Sequence, residues 1–144
     1  MLTTPGGATM GKSYPLGRVS MRLLADRATT NGTYALAEFG GGPGAWTVPH
    51  VHVACEESFY VLEGAFTFTL AEAPVEAHAG ALILVPRGER HTIRADAEHG
   101  RFLTLWTPAG LEEMFVELSR LPADSLQNPE VRRMLAARFD SVPV

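Results

Sequence analysis

A chain of 144 residues is long enough for one well-packed domain and would cramp two. A hydrophobic content of 46% with 19% charged residues is ordinary for a globular protein and speaks against wholesale disorder. The net charge is −4, and a single lysine, Lys12, stands beside eleven arginines with no basic stripe to neutralise a phosphate backbone, so nucleic acid is not an expected partner.

In chain order, residues 1–17 are rich in Gly, Thr, Ser and Pro without a period of two or of 3.6, and read as a flexible N-terminal arm that could order against a second subunit. They also lack the apolar core of a signal peptide. Residues 19–24 and 33–39 read as strands separated by a polar turn, Thr29-Thr30-Asn31-Gly32. Residues 40–44 (Gly-Gly-Gly-Pro-Gly) read as a loop, because so many glycines make regular structure entropically costly. Residues 57–63 form a strand, Gly64 turns the chain, and residues 65–70 alternate Phe66, Phe68 and Leu70 with Thr67 and Thr69, the pattern of a half-buried strand. A turn at 71–74 leads to a return strand at 75–78. The apolar run 81–85 is strand length, far too short for a bilayer span, and stops at Pro86. Strands at 91–94 and 101–106 follow, joined by a polar turn at 96–100.

The period then changes. Leu111, Met114, Phe115 and Leu118 recur at helical spacing, with Glu112, Glu113 and Glu117 on the opposite, solvent face. Asn128 as N-cap with Pro129 at the first helical position predicts a second helix to about Phe139, its apolar side made by Val131, Met134 and Leu135. Seven to nine short strands followed by two helices argue for an antiparallel barrel or sandwich with a helical lid. The barrel is expected over residues 18–108, with a C-terminal helical segment, 109–144, packed on it. Barrel edges and the arm make a homodimer the expected assembly. Cys55 is the only cysteine, which excludes an intramolecular disulfide and suits a reducing, cytoplasmic compartment.

Chemistry concentrates between Gly44 and His91. His50 and His52, two apart, face the same way on a strand, whereas Glu57 has the opposite parity and joins them only if a turn within residues 53–56 resets the register. His91 arrives from a distant strand after Pro86-Arg87-Gly88. Three imidazoles and one carboxylate suit one divalent transition metal per chain, Fe, Mn, Ni, Co or Zn, with open positions left for a reactant. Glu56 competes for the carboxylate role, but alternation with Phe59 and Val61 favours Glu57. Cys55 reads as a small buried side chain in the turn, and His78, His99, Arg87 and Arg90 as solvated. Trp46, Phe59, Phe102 and Trp106 are candidates for a substrate pocket, with Phe59 favoured because it shares a face with Glu57. Phe68 reads as core.

This stretch resembles the two signature motifs of the cupin superfamily: Gly44, His50, His52, Glu57 and Gly64 in the first, and Gly80, Pro86, Gly88 and His91 in the second. The match departs from the pattern at Ala95, where the family usually has asparagine. Thr107-Pro108-Ala109-Gly110 followed by an acidic amphipathic helix adds to a likeness with small single-domain cupins similar to quercetin dioxygenase. The resemblance implies an all-β fold, an antiparallel jelly-roll barrel, with His50, His52, Glu57 and His91 as metal ligands. It also implies a choice of chemistries. The first is a dioxygenase-like enzyme acting on a small oxygenated molecule, aromatic ones included, with Glu57 as general base. The others are a Zn-type cyclase or isomerase needing no oxygen, and a non-catalytic small-molecule binder.

Overall fold

In the computed structural model, which describes residues 2–3 and 9–144, the chain folds as two antiparallel six-stranded sheets packed face to face, with short helices at one end. After the paired two-residue strands β1 (Leu2–Thr3) and β2 (Thr9–Met10), the first sheet opens with β3 (Lys12–Leu16) and β4 (Val19–Ala25). A one-turn helix, α1 (Arg27–Thr30), leads to β5 (Ala35–Gly41) of the same sheet. The short strands β6 (Gly44–Ala45) and β7 (His50–Val51) belong to the second sheet, and β8 (Glu56–Glu63) returns to the first. The second sheet continues with β9 (Ala65–Leu70) and β10 (Ala73–His78). β11 (Leu82–Val85) edges the first sheet, β12 (His91–Ala95) joins the second, and β13 (Gly100–Thr107) completes the first. Helix α2 (Glu112–Leu118), a 3-10 turn at Ser125–Gln127 and α3 (Pro129–Leu135) follow, and a last strand, β14 (Val142–Pro143), pairs with β7. The first sheet runs β11-β8-β13-β5-β4-β3; the second runs β10-β9-β12-β7-β14, with β6 also on β12. This is the jelly-roll arrangement expected.

Period-two patterning builds the core. Along β13 every second residue from Gly100 is buried, so Phe102, Thr104 and Trp106 point inward. Phe59 and Val61 of β8, Phe39 of β5 and Phe66 and Phe68 of β9 meet them. Phe102 sits at the hub, its ring centroid 5.0 Å from that of Phe66, 5.1 Å from Phe59 and 5.4 Å from Trp46, distances at which tilted and edge-to-face ring pairs are favourable. Gly64 turns the chain between β8 and β9 at φ 81°, where a side chain would strike the His99 carbonyl, so glycine is required there both for conformation and for space.

Several local expectations change. Residues 12–16, expected within the arm, form β3, paired with β4 from Lys12↔Leu23 to Leu16↔Val19; Pro15 is tolerated because this is an edge strand. Residues 1 and 4–8 of the expected arm lie outside the described residues. The turn at 29–32 is preceded by α1, because Asp26 and Thr29 form a reciprocal capping box and Asn31 ends the helix in the left-handed conformation. The glycine run is not wholly loop: β5 reaches Gly41, which pairs with both Val19 and Gly100, and a Cβ there would meet the Arg18 carbonyl. These glycines permit a close backbone approach inside a sheet.

Helix α2 buries Met114, Phe115 and Leu118, with Leu111 at its N-cap, and α3 buries Leu135, as expected, but each helix also buries a charged residue. Glu112, expected on the solvent side of α2, is buried; its carboxylate accepts from the backbone N–H of Arg27 and of Gly110 and so ties α2 to α1. Helix α3 starts as expected, with Asn128 accepting from the N–H groups of Glu130 and Val131, but it ends at Leu135. Its inward residues are Arg132 and Leu135, whereas Met134 is 60% exposed.

Candidate metal centre

His50 and His91 stand directly opposite each other on neighbouring strands, β7 and β12. His52 lies just beyond β7, and Glu57 projects from β8 in the facing sheet. The parity problem posed by Glu57 is solved by a bend after His52. The Asp140 carboxylate accepts from the N–H groups of Val53 (2.7 Å) and Ala54 (2.8 Å), and the His52 carbonyl accepts from Gly88 N–H (2.6 Å). The bend shifts the register by one, so Glu57 is buried and Glu56 is exposed, paired with Arg87. The four side chains are all buried, and their ligand atoms lie within 4.8 Å of one another.

Hydrogen bonds fix how the imidazoles present themselves. His50 Nδ1 donates to the Val48 carbonyl (2.6 Å), His52 Nδ1 to the Asp140 carbonyl (2.6 Å) and His91 Nδ1 to the Glu89 carbonyl (3.0 Å). A carbonyl can only accept, so each Nδ1 carries the proton and each Nε2 is left with its lone pair. Yet Glu57 Oε1 sits 3.2 Å from His52 Nε2 and 3.0 Å from His91 Nε2. Lone pairs facing a carboxylate oxygen at that range repel unless a proton or a cation lies between them. The donor set therefore fits a divalent cation that prefers nitrogen with one oxygen.

In the absence of a cation a proton does this work. Burial pulls His52 down, but Glu57 outweighs it, with the Asp140 carbonyl helping, and the net shift is upward. Burial pushes Glu57 up, but His52 and His91 outweigh it and hold the carboxyl well below its ordinary range. His50 goes the other way: burial lowers it well below 6.5, and His91 adds to the effect. Trp106, the residue opposite Glu57 on β13, donates its indole N–H to Glu57 Oε2 at 2.6 Å.

Beside the cluster lies a cavity of about 30 Å³ open to the centres of water-sized molecules, room for on the order of two waters. His50 and Glu57 line it, as do Trp46, Phe59 and Phe102 of the expected pocket. Trp106 stands behind Glu57 and is not on the wall. Phe68 is fully buried core, and His78, His99, Arg87 and Arg90 are exposed. Cys55 is buried, and burial pushes its thiol up to about 12, the behaviour of an inert packing residue. A larger groove of about 530 Å³, lined by Tyr14, Arg27 and Arg138 among others, does not touch the cluster.

Three residues of the centre escape a reading of the sequence. Asp140, Thr104 and Arg132 have no motif spacing to mark them. Thr104 is a polar residue at an inward position of β13, a signal visible only once the strand's facing is known. Arg132 is buried, with Nη1 donating to the Leu126 carbonyl (3.1 Å) and Nη2 to Ser141 Oγ (2.7 Å).

Comparison with known proteins agrees with this fold. The model of the Cupin domain family matches residues 40–107. Quercetin 2,3-dioxygenase from Bacillus subtilis is 27% identical over 94 residues, which are 65% of this chain and 28% of that protein; the chain thus spans under a third of that relative's length. Among solved structures, KdgF from Halomonas sp. superposes with a TM-score of 0.67 at 17% identity, over 76% of this chain and 99% of that one. Oxalate decarboxylase from Bacillus subtilis does so with a TM-score of 0.61 at 19% identity, over 74% of this chain and 31% of that one. At these identities the structural likeness speaks to the fold.

Proposed function

From the match of the Cupin domain family model to residues 40–107, we propose that the protein is a metal-dependent enzyme of dioxygenase-like type acting on a small oxygenated molecule. The observation that carries the metal is that three imidazoles are tethered through Nδ1, with Nε2 of His52 and of His91 on Glu57, and that the ligand atoms of all four side chains lie within 4.8 Å of one another. His50, His52, His91 and Glu57 would hold one divalent transition metal per chain. Bound there, such an ion supplies Lewis acidity toward an oxygen of the substrate, and a redox-active one supplies a route to molecular oxygen.

The chain's own residues do the rest. Glu57 lines the cavity; its Oε1 faces the imidazoles, and its Oε2, which accepts the Trp106 indole N–H, keeps a second lone pair that would take a proton from a substrate hydroxyl or enol. The Trp106 indole holds that carboxylate in place. Trp46, Phe59 and Phe102 keep bulk water from the reacting atoms. The walls are aromatic, but the free space fits only a few heavy atoms, so an aromatic substrate requires them to move. The dioxygenase relative lends support to the reaction type. The unpaired Cys55 supports a cytoplasmic setting. Exposed Tyr60, Leu82 and Leu84 on the edge formed by β8 and β11 support a homodimer.

The test begins with elemental analysis of protein purified without chelator, where about one transition metal per chain is expected. Oxygen consumption is then measured with small enol and hydroxy-carbonyl compounds. Glu57→Gln should abolish turnover even when metal is restored. Turnover that persists under strict anaerobiosis would replace the dioxygenase reading with that of an oxygen-independent cyclase or isomerase. Failure to contain or take up any metal would overturn both.

A further inference from the structure

The cavity beside the cluster is apolar on most of its wall, formed by Val19, Phe39, Phe59, Ile93, Phe102 and Leu126 among others. Two polar side chains break that wall without being satisfied. Thr104 is completely buried, and its hydroxyl has no hydrogen-bond partner among the described residues. Arg132 is 1% exposed, and although Nη1 and Nη2 are engaged, its Nε–H has no partner. Both residues line the same cavity. Orphaned buried donors are uncommon because each forfeits its hydration, and a buried guanidinium without a carboxylate contact is rarer still.

Arg132 has no ion pair within contact distance among the described residues, and Glu57 acts on it only at longer range. Thr104 and Arg132 come from different elements, β13 and α3, so no single strained segment explains both. Two buried donors without a partner among the described residues thus line one cavity. On the reading that the cluster holds a divalent cation, Glu57's charge is shared with that ion, and the guanidinium is left uncompensated.

We propose that Arg132 and Thr104 form an anion-binding subsite of the cavity, and that the ligand it takes is a small carboxylate. A carboxylate offers lone pairs in one plane to the Arg132 Nε–H and the Thr104 hydroxyl, and it supplies the missing negative charge. The space available limits it to a few heavy atoms, or to the carboxylate end of a molecule that displaces part of the wall. Arg132 and Thr104 then set specificity: a neutral amide of the same shape leaves the guanidinium unpaired and is rejected. The subsite rests on the metal reading for its charge argument but not for its two donors, so the two can fail separately.

The experiment titrates carbon-13 formate and acetate into zinc-loaded protein, followed by NMR, with formamide and acetamide as neutral isosteres and zinc content measured on the same samples. For ligands this small, millimolar binding is expected, with the amides weaker by about tenfold or more. Thr104→Val keeps shape and removes only the orphaned hydroxyl. It should fold, melt no lower than the parent and retain zinc, while weakening formate about fivefold. Arg132→Lys should weaken formate by about tenfold or more; because Arg132 also ties Leu126 to Ser141, this variant is read only alongside its melting temperature. Formate binding that is unchanged in Thr104→Val, or matched by formamide, overturns the subsite. Binding that depends on Thr104 in protein that takes up no zinc sustains the subsite and sinks the metal reading.

Discussion

Glu57, His50 and His52 are shifted from their ordinary values, and these shifts set a pH profile. His50 is depressed, so its contribution to stability is complete above 6.5 and is lost as pH falls toward its lower folded value. His52 is raised, so its contribution is complete below 6.5 and is lost as pH climbs through its folded value. Glu57 is depressed and contributes fully above its ordinary 4.5, losing that only in stronger acid. Chelator-treated protein should therefore show its highest melting temperature near pH 6.5, falling on both sides. Zinc replaces the proton between His52 and Glu57 and competes with protons for every ligand, so the melting-temperature gain from added zinc should grow from pH 5.5 to 8. A gain as large at pH 5 as at pH 8 contradicts the ligand assignment. The four clustered side chains were legible in the sequence because their donor types stand at spacings a strand can present. The groups that orient them were not: two of the histidines are tethered by backbone carbonyls (Val48 and Glu89) two residues away, and carbonyls carry no residue identity.

At the scale of elements, the bend between β7 and β8 shows how a distant segment corrects a parity mismatch. Asp140 serves it twice, with its carboxylate on Val53 and Ala54 and its carbonyl on His52. Asp140→Ala retains the carbonyl but frees the bend, and it should lower zinc affinity by about 10- to 100-fold with little change in far-ultraviolet circular dichroism. Competition titration against a chromophoric chelator measures this, and wild-type affinity in the variant would remove the bend from the account. The strands of the barrel were legible wherever alternation was clean, as in β9. The helices were legible as helices, and the apolar face of α2 with them, but not the charged residues that they bury. Glu112 and Arg132 carry charge, and hydropathy places charge outside; only the tertiary partners, the N–H groups of Arg27 and Gly110 for one and Ser141 and Leu126 for the other, make burial affordable. Likewise α1 depends on a capping box at Asp26 and Thr29, which is easily read as a turn when the helix it starts is four residues long.

For the molecule as a whole, the two sheets share one aromatic core, but the outer side of the first sheet is not uniformly polar. Leu82 and Leu84 on β11 are 66% and 56% exposed, and Tyr60, opposite Leu82 on β8, is 43% exposed. An edge strand with outward leucines is an open invitation to pairing unless covered. If a second copy covers it, Leu84→Arg should convert a dimer to a monomer in multi-angle light scattering, with the melting temperature of the monomer little altered; wild-type protein that is monomeric at all concentrations removes the dimer. The overall architecture was legible from the count and spacing of strands together with the two motifs. The order of strands within each sheet was not, since pairing between residues as far apart as Ala35–Trp106 and His50–Pro143 depends on contacts that local pattern does not record.

Strand β14 pairs Val142 with Val51 and Pro143 with His50, just after Ser141 has caught Arg132 and Asp140 has caught the bend. The last five residues of the chain are thus a clasp on the centre, although none of them is a ligand. Removal of residues 140–144 would loosen the centre while sparing every motif residue. Intact-mass measurement belongs beside any assay of a preparation that has lost its metal.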